Sequence, residues 1–283
     1  MLLGFSGFVS SLGSSLGLVD AVMFVIGLAF GSFGGMLASR IPRKLSPTGR
    51  SQCPRCGAVL SPSELIPVVS FLVQRGRCKH CGERVSGGYL LVELSSAVTF
   101  VLFHRYFGLN VVGILNMIVA LHLTVLAGTD MMHGLLPNVV ILSGTVFALV
   151  LRVLAPVVTT TAPIEPLADS AYLAHSAVAV SPTSDVWLSL RDGLLAAALG
   201  FAFFYVVALI KPGAMGGGDI KMAFFIGLYL GVRRLFPALG LGFVLSSLYA
   251  VPMMALGKLK RTDTLPLGIF LSLATIAMAL VTV

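Results

Sequence analysis

The chain is poor in charge. Asp, Glu, Lys and Arg make up 11% of its 283 residues, under half of the roughly 25% usual in soluble domains. That scarcity excludes a soluble globular enzyme and a disordered chain. Cysteine is scarce too: four residues are too few for a disulfide-rich secreted domain. Acidic residues number 11 against 19 Lys and Arg. In a membrane chain such an excess marks the cytoplasmic side, so it is not taken as a sign of nucleic-acid binding. No internal repeat is visible. The first 18 residues hold no basic residue. They lack the charged start of a signal peptide and are expected to stay on the mature chain.

Apolar residues are abundant, at 57%, and the mean hydropathy is +0.99. These values predict an all-α polytopic membrane protein bound in the lipid bilayer. A bilayer core of about 30 Å needs roughly 20 apolar residues in a helix. About eight transmembrane helices are expected, near 20–39, 89–106, 111–129, 136–155, 192–210, 220–232, 235–257 and 264–282. The sixth is short. Residues 1–39 hold the first helix, 40–88 a small polar cytoplasmic domain and 89–283 the remaining membrane core. Residues 156–190, rich in Ser, Thr, Pro and Ala, are expected to form an external loop.

With eight spans and the 40–88 domain inside, all 19 Lys and Arg but Arg105, Arg152, Arg191, Arg233 and Arg234 are cytoplasmic. The imbalance favours both termini outside.

The 40–88 domain carries Cys53-Pro-Arg-Cys56 and Cys78-Lys-His-Cys81. Each pair has two intervening residues, and 21 residues separate the pairs. Two tight turns, each presenting two thiolates, close a tetrahedral Zn²⁺ site. Gly57 and Gly82 follow the pairs where such turns often need a permissive backbone. Four thiolates leave no open position, so the zinc is expected to be structural. His80 is expected at the surface rather than as a ligand.

Of the seven Asp residues, Asp130 and Asp219 stand apart. Asp130 ends the third apolar run, and Asp219 follows Gly216, Gly217 and Gly218. An ionisable residue at membrane depth is a functional candidate by default. Three glycines in a row weaken a helix. They make sense where a substrate or a second backbone must come close. Two carboxylates around one water can divide acid and base roles. Asp219 at a helix N-terminus is expected to be the ionised partner, and Asp130 at a helix C-terminus to hold the proton. Asp263 fits the N-cap of the last span.

The residues resemble the type IV prepilin peptidase family, also called leader peptidase/N-methyltransferase, a class of intramembrane aspartyl protease with a glycine-x-glycine-aspartate signature. Matching stretches run through Gly31-Ser32-Phe33, Arg40-Ile41-Pro42, Glu64 to Phe71, Arg75 to Cys78, Tyr89 to Leu94, Met215 to Lys221 and Leu265 to Gly268. The resemblance implies that Asp130 and Asp219 are the catalytic aspartates. It implies cleavage of the basic leader from prepilins and pseudopilins at the cytoplasmic face of the bacterial inner membrane. It also implies N-methylation of the new N-terminus with S-adenosylmethionine. No sequence motif marks a pocket for that cofactor. Glu64 and Glu93 are candidates for shaping it, although a helix-end ion pair of Glu93 with Arg84 or another basic residue is the plainer expectation. Leu136-Pro137-Asn138 departs from a leucine-proline-aspartate pattern common in the family.

A transporter also fits glycine-broken helices with carboxylates. In that alternative Asp130 and Asp219 carry protons or cations, and the zinc loop is a docking module. Transporter carboxylates usually lie near the midplane, whereas both aspartates are expected at one edge.

Overall fold

The computed structural model describes residues 17–46, 48–161, 186–211, 215–259 and 265–281. Asp169, Asp185 and the expected N-cap Asp263 lie outside the described residues, as do the first 16. The described part is helical, with no strand beyond two isolated bridges.

The helices are α1 (Leu18–Arg40), α2 (Val69–Val73), α3 (Gly87–Phe107), α4 (Val111–His133) and α5 (Asn138–Thr161). They continue with α6 (Val186–Ile210), α7 (Gly217–Leu230), α8 (Val232–Ala255) and α9 (Leu267–Ala279). Six are long and apolar enough to cross a membrane: α1, α3, α4, α5, α6 and α8. Of the other two expected spans, the sixth is short, as expected, and the last is shorter than its sequence suggested. Helix α7 has 14 residues and α9 has 13. At 1.5 Å per residue each covers about 20 Å, less than the hydrocarbon core. The expected 156–190 loop is narrower than its composition suggested. Helix α5 runs through Pro156 to Thr161, and α6 begins at Val186.

Side-chain capping sets several helix ends. Asn110 Oδ1 accepts the Gly113 N–H at 2.9 Å to start α4. Ser86 Oγ accepts the Gly88 N–H at 3.2 Å to start α3. Gly134, with φ +61°, takes the left-handed conformation that stops α4 one residue after His133.

Small residues let the helices approach closely, as membrane bundles require. A Cβ on Gly27 would lie 2.6 Å from Ala97 Cα, and one on Gly31 2.7 Å from Glu93 Cα. These contacts run α1 against α3 in opposite directions. Helices α6 and α7 do the same: a Cβ on Gly200 would lie 2.7 Å from the Ala223 oxygen, and one on Gly193 3.1 Å from that of Leu228. Successive helices therefore return to the same two ends of the bundle.

One end is tied by buried cations. Arg152, 1% exposed, donates Nε to the Leu228 oxygen at 2.8 Å and Nη2 to the Tyr229 oxygen at 3.1 Å. It also pairs with Asp192 at 3.2 Å. Asp192 in turn accepts the Val232 N–H at 3.3 Å. The end of α7 and the start of α8 are thus held by one guanidinium and its partner. Pro156 has no N–H to give the Arg152 carbonyl four residues earlier, and Ser189 Oγ donates to that oxygen at 3.0 Å instead. At the same end Arg105 grips Asp20 through two bonds of 3.0 and 2.9 Å.

Candidate active site and metal centre

The opposite end gathers the C-termini of α1, α4, α6 and α8 and the N-termini of α3, α5, α7 and α9. Asp130 sits in the last turn of α4 and is 7% exposed. Its Oδ2 accepts the Ile269 N–H at 3.3 Å, from the first turn of α9. A Cβ on Gly268 would lie 2.9 Å from the same oxygen and 2.8 Å from Leu136 Cδ2. Only glycine lets α9 come this close to Asp130.

Asp219 is the third residue of α7 and is half-buried. Its Oδ2 accepts the Gly216 N–H at 3.2 Å, closing the N-terminus of α7. The two carboxylates are near enough for the charge of Asp219 to act on Asp130. Leu136 lies between their supports, because a Cβ on Gly218 would come 2.8 Å from Leu136 Cβ. Gly216 and Gly217 are exposed, and a Cβ on Gly217 would meet nothing within 4 Å. The closest packing therefore falls on Gly218, while a Cβ on Gly216 would come 3.2 Å from Asp219 Oδ2.

Partners not foreseen from the sequence complete this end. Lys221 Nζ donates to Asn138 Oδ1 at 2.9 Å, joining the starts of α5 and α7. The residue that departs from the family pattern thus receives a lysine. Gly268 lies in a stretch that resembles the family, but its contact with Asp130 needs the fold. The backbone donor Ile269 leaves no side-chain signal at all.

The expected division of roles between the aspartates considered each residue's own helix. Asp130 also faces the N-terminus of α9, whose N–H it accepts. Two helix ends of opposite sign meet there. The helix ends therefore do not distinguish which aspartate holds the proton.

The four cysteines come together beside this end. The sulfurs of Cys53, Cys56, Cys78 and Cys81 all lie within 4.8 Å of one another, and those of Cys53 and Cys81 are 3.9 Å apart. A tetrahedral ion with metal–sulfur bonds of about 2.3 Å sets its sulfurs about 3.8 Å apart, so the four fit one ion. Two equivalent turns shape the site. The Gly57 N–H bonds the Cys53 oxygen and the Gly82 N–H that of Cys78, each at 2.9 Å. Gly57 and Gly82 have φ of +72° and +71°. Backbone N–H groups of Cys56 and then Arg55 pull the Cys53 thiol down to about 6, while the lowering by the Glu83 backbone bond is outweighed by burial and the neighbouring thiols, which push that of Cys81 up to about 12. His80 is half-exposed, its side chain turned to Glu64.

Between this loop and the bundle lies a cavity of about 390 Å³, with Ser32, Arg40, Glu64, Tyr89, Glu93 and His133 in its walls. The expected ion pair of Glu93 with Arg84 does not form. Glu93 is 8% exposed, and its Oε2 accepts the Val68 N–H at 2.8 Å. Val68 has φ +63°, a strained value for a β-branched residue, and the carboxylate holds it there. Glu64 closes a capping box with Ser61 through bonds of 2.8 and 2.7 Å. Those bonds hold its carboxyl below the usual range.

Residues 25–107 match the Bacterial Peptidase A24 N-terminal domain, and residues 117–251 match the Type IV leader peptidase family. The chain is 34% identical over 247 residues to the Prepilin leader peptidase/N-methyltransferase of Bacillus subtilis (strain 168), covering 87% of this chain and 88% of that one. It belongs to the type IV prepilin peptidase family. A protein of the same name from Myxococcus xanthus is 31% identical over 233 residues, 80% of this chain and 61% of that one. One from Vibrio cholerae is 29% identical over 250 residues, 80% and 81%. No solved structure matches the chain. The four cysteines fall in the first matched region of this chain, and both aspartates in the second.

Proposed function

We propose that this type IV leader peptidase removes the basic leader from prepilins and pseudopilins, using Asp130 and Asp219 as a joint acid–base pair. The observation that carries the proposal is the presence of two carboxylates, from α4 and α7, at one end of the bundle, near enough for the charge of one to act on the other, beside exposed Gly216 and Gly217.

The substrate is a single apolar helix whose leader emerges at the membrane surface. A small residue before the cut lets its backbone enter past Gly216 and Gly217. One aspartate of the pair takes a proton from water, and the oxygen attacks the scissile carbonyl carbon. The other aspartate protonates the carbonyl oxygen as it gains charge. The tetrahedral centre then collapses, the C–N bond breaks, and the amine leaves with a proton from the pair. No covalent link to the enzyme forms. The Ile269 N–H fixes one oxygen of Asp130 throughout, and Lys221 with Asn138 fixes the start of α7 against that of α5.

The leader is cut at the cytoplasmic face of the bacterial inner membrane. The distribution of Lys and Arg supports that side. The ion at Cys53, Cys56, Cys78 and Cys81 is Zn²⁺, since four thiolates in tetrahedral reach are its usual structural site. It holds the two turns of the loop together.

The enzyme also N-methylates the new N-terminal residue. S-adenosylmethionine, when bound, supplies an electrophilic methyl group. The residues present fit such a ligand: a cavity of about 390 Å³ with aromatic, cationic and carboxylate side chains falls within the usual size of cofactor pockets. A transporter is disfavoured because the carboxylates lie at one end of the bundle, not at its middle.

Co-expression with a prepilin tests the function. Mass spectrometry of the product should show the leader lost and one methyl group on the new N-terminus. A prepilin that keeps its leader in the presence of folded, metal-loaded enzyme would contradict the proposal.

A further inference from the structure

The cysteine-bearing loop is polar in composition, but one stretch of it presents an apolar face. Leu65, Ile66, Val69, Leu72 and Val73 are 41–77% exposed. Val69, Leu72 and Val73 lie at helical spacing on one side of α2, while Ser70, Phe71 and Gln74 line the cavity on the other. A run of large apolar side chains left outside marks a contact with lipid or with another protein.

Depth decides between the two. Val68, just before α2, donates its N–H to Glu93 at 2.8 Å. Glu93 lies six residues past the start of α3 at Gly87, about 9 Å of helix rise. Its Cα also packs against Gly31, nine residues before the end of α1, about 13 Å of rise. Helix α2 therefore flanks the membrane helices below their ends and does not stand above them. Hydrocarbon offers no hydrogen bonds at that depth, and the backbone meets the demand itself. Besides Val68, the Ser70 N–H bonds the Ile66 oxygen and the Leu72 N–H that of Val68, each at 3.0 Å.

The charges favour lipid as well. No Asp or Glu occurs from Leu65 through Gly82, whereas Arg75 and Lys79 follow α2 and are exposed. Long basic side chains reach from an apolar surface to anionic headgroups.

We propose that α2 is an interfacial anchor. Its outward face is immersed in the lipid leaflet at the Asp130 end, and Arg75 and Lys79 meet anionic headgroups there. The leaflet supports α2 from outside while Glu93 holds it from inside, so the metal-binding loop lies against the bundle. The wall between the cavity and the lipid is then one short helix.

The test sets the purified full chain, with its metal, in nanodiscs of phosphatidylcholine and anionic phosphatidylglycerol. Trp187→Phe removes the single native tryptophan, and Leu72→Trp places one on the outward face. Lipids brominated on their acyl chains quench only a tryptophan that touches them. Emission of Leu72→Trp should fall about twofold or more in brominated discs, as expected for a face buried about 5–10 Å in the interface. Arg50→Trp is the comparison, because Arg50 is exposed and its oxygen accepts from Arg40, the last residue of α1, at 3.1 Å. Its emission should change little with brominated lipid, and acrylamide in the water should quench it more strongly than it quenches Leu72→Trp. Should Leu72→Trp lose its metal, Val73→Trp gives the same reading from the neighbouring exposed position.

Brominated lipid that quenches the metal-loaded variant no more than Arg50→Trp would overturn the proposal. So would emission of Leu72→Trp that acrylamide reaches freely in the disc and that only an added prepilin shields; the face would then be a protein contact. The measurement needs neither cleavage nor methyl transfer, so its failure leaves the proposed function standing.

Discussion

The two ends of the bundle carry similar kinds of side chain and use them in opposite ways. At the Arg152 end, charges are spent on structure. Arg152 bonds two backbone oxygens and Asp192, Asp192 bonds the start of α8, and Asp20 takes two bonds from Arg105. At the Asp130 end, the charge of Asp219 acts on Asp130, Glu64 and Glu93 line a cavity, and Gly218 and Gly268 take the place of side chains. Glu64 and His133 keep buried atoms without hydrogen bonds there. The difference separates a clamp from a workplace. A satisfied network holds short helices such as α7 in place, and that rigidity lets the far end leave groups unsatisfied for a substrate.

Removing the metal site should have the largest effect. Structural Zn²⁺ contributes about 10–16 kcal/mol in small cysteine and histidine sites. Replacing Cys53, Cys56, Cys78 and Cys81 by serine should abolish metal content and expose residues 50–85 to protease. Full metal loading of that variant would break the account of the loop. Metal stripping should spare the Arg152 end, seen as retained helical signal by circular dichroism.

Arg152→Met should come next. It leaves the Leu228 and Tyr229 oxygens without their donor and Asp192 without its partner, at about 3–5 kcal/mol. A lowered unfolding midpoint in detergent, with cleavage falling only as the folded fraction falls, would sharpen the contrast. A variant as stable as the parent would remove the clamp.

Gly268→Ala should do the reverse. Its Cβ would push on Asp130 Oδ2 and Leu136, and misplacing a catalytic group by about 1 Å can cost roughly a hundredfold in rate. Cleavage should fall tenfold to a hundredfold with little change in the unfolding midpoint. Unchanged cleavage would show that α9 does not constrain Asp130.

Asp20→Asn should have the smallest effect, about 1–3 kcal/mol from the loss of a charge-assisted pair. It should lower stability and leave the cleavage rate of folded protein unchanged. A direct loss of cleavage would mean that the two ends are coupled.

Much of this was legible in the sequence because its signals are local. Apolar runs gave the order of the helices, and the two Cys-x-x-Cys turns gave the metal cluster. Asp130 and Asp219 stood out as charges at the edges of apolar runs. The missing parts depend on distant residues. Ile269 acts through its backbone, Lys221 meets Asn138 from another helix, and Glu93 bonds Val68 rather than Arg84. The length of α9 was overread, since apolar residues continue past the point where Leu280 ends the helix. Hydropathy registers burial and does not mark a helix stop.

The most direct test is the initial rate of leader release from a purified prepilin by Asp130→Asn and by Asp219→Asn, each checked for full metal content. Both should fall to background, at least a thousandfold below the parent, because neither carboxylate alone can serve as both base and acid. Either variant cutting within tenfold of the parent rate would contradict a shared pair.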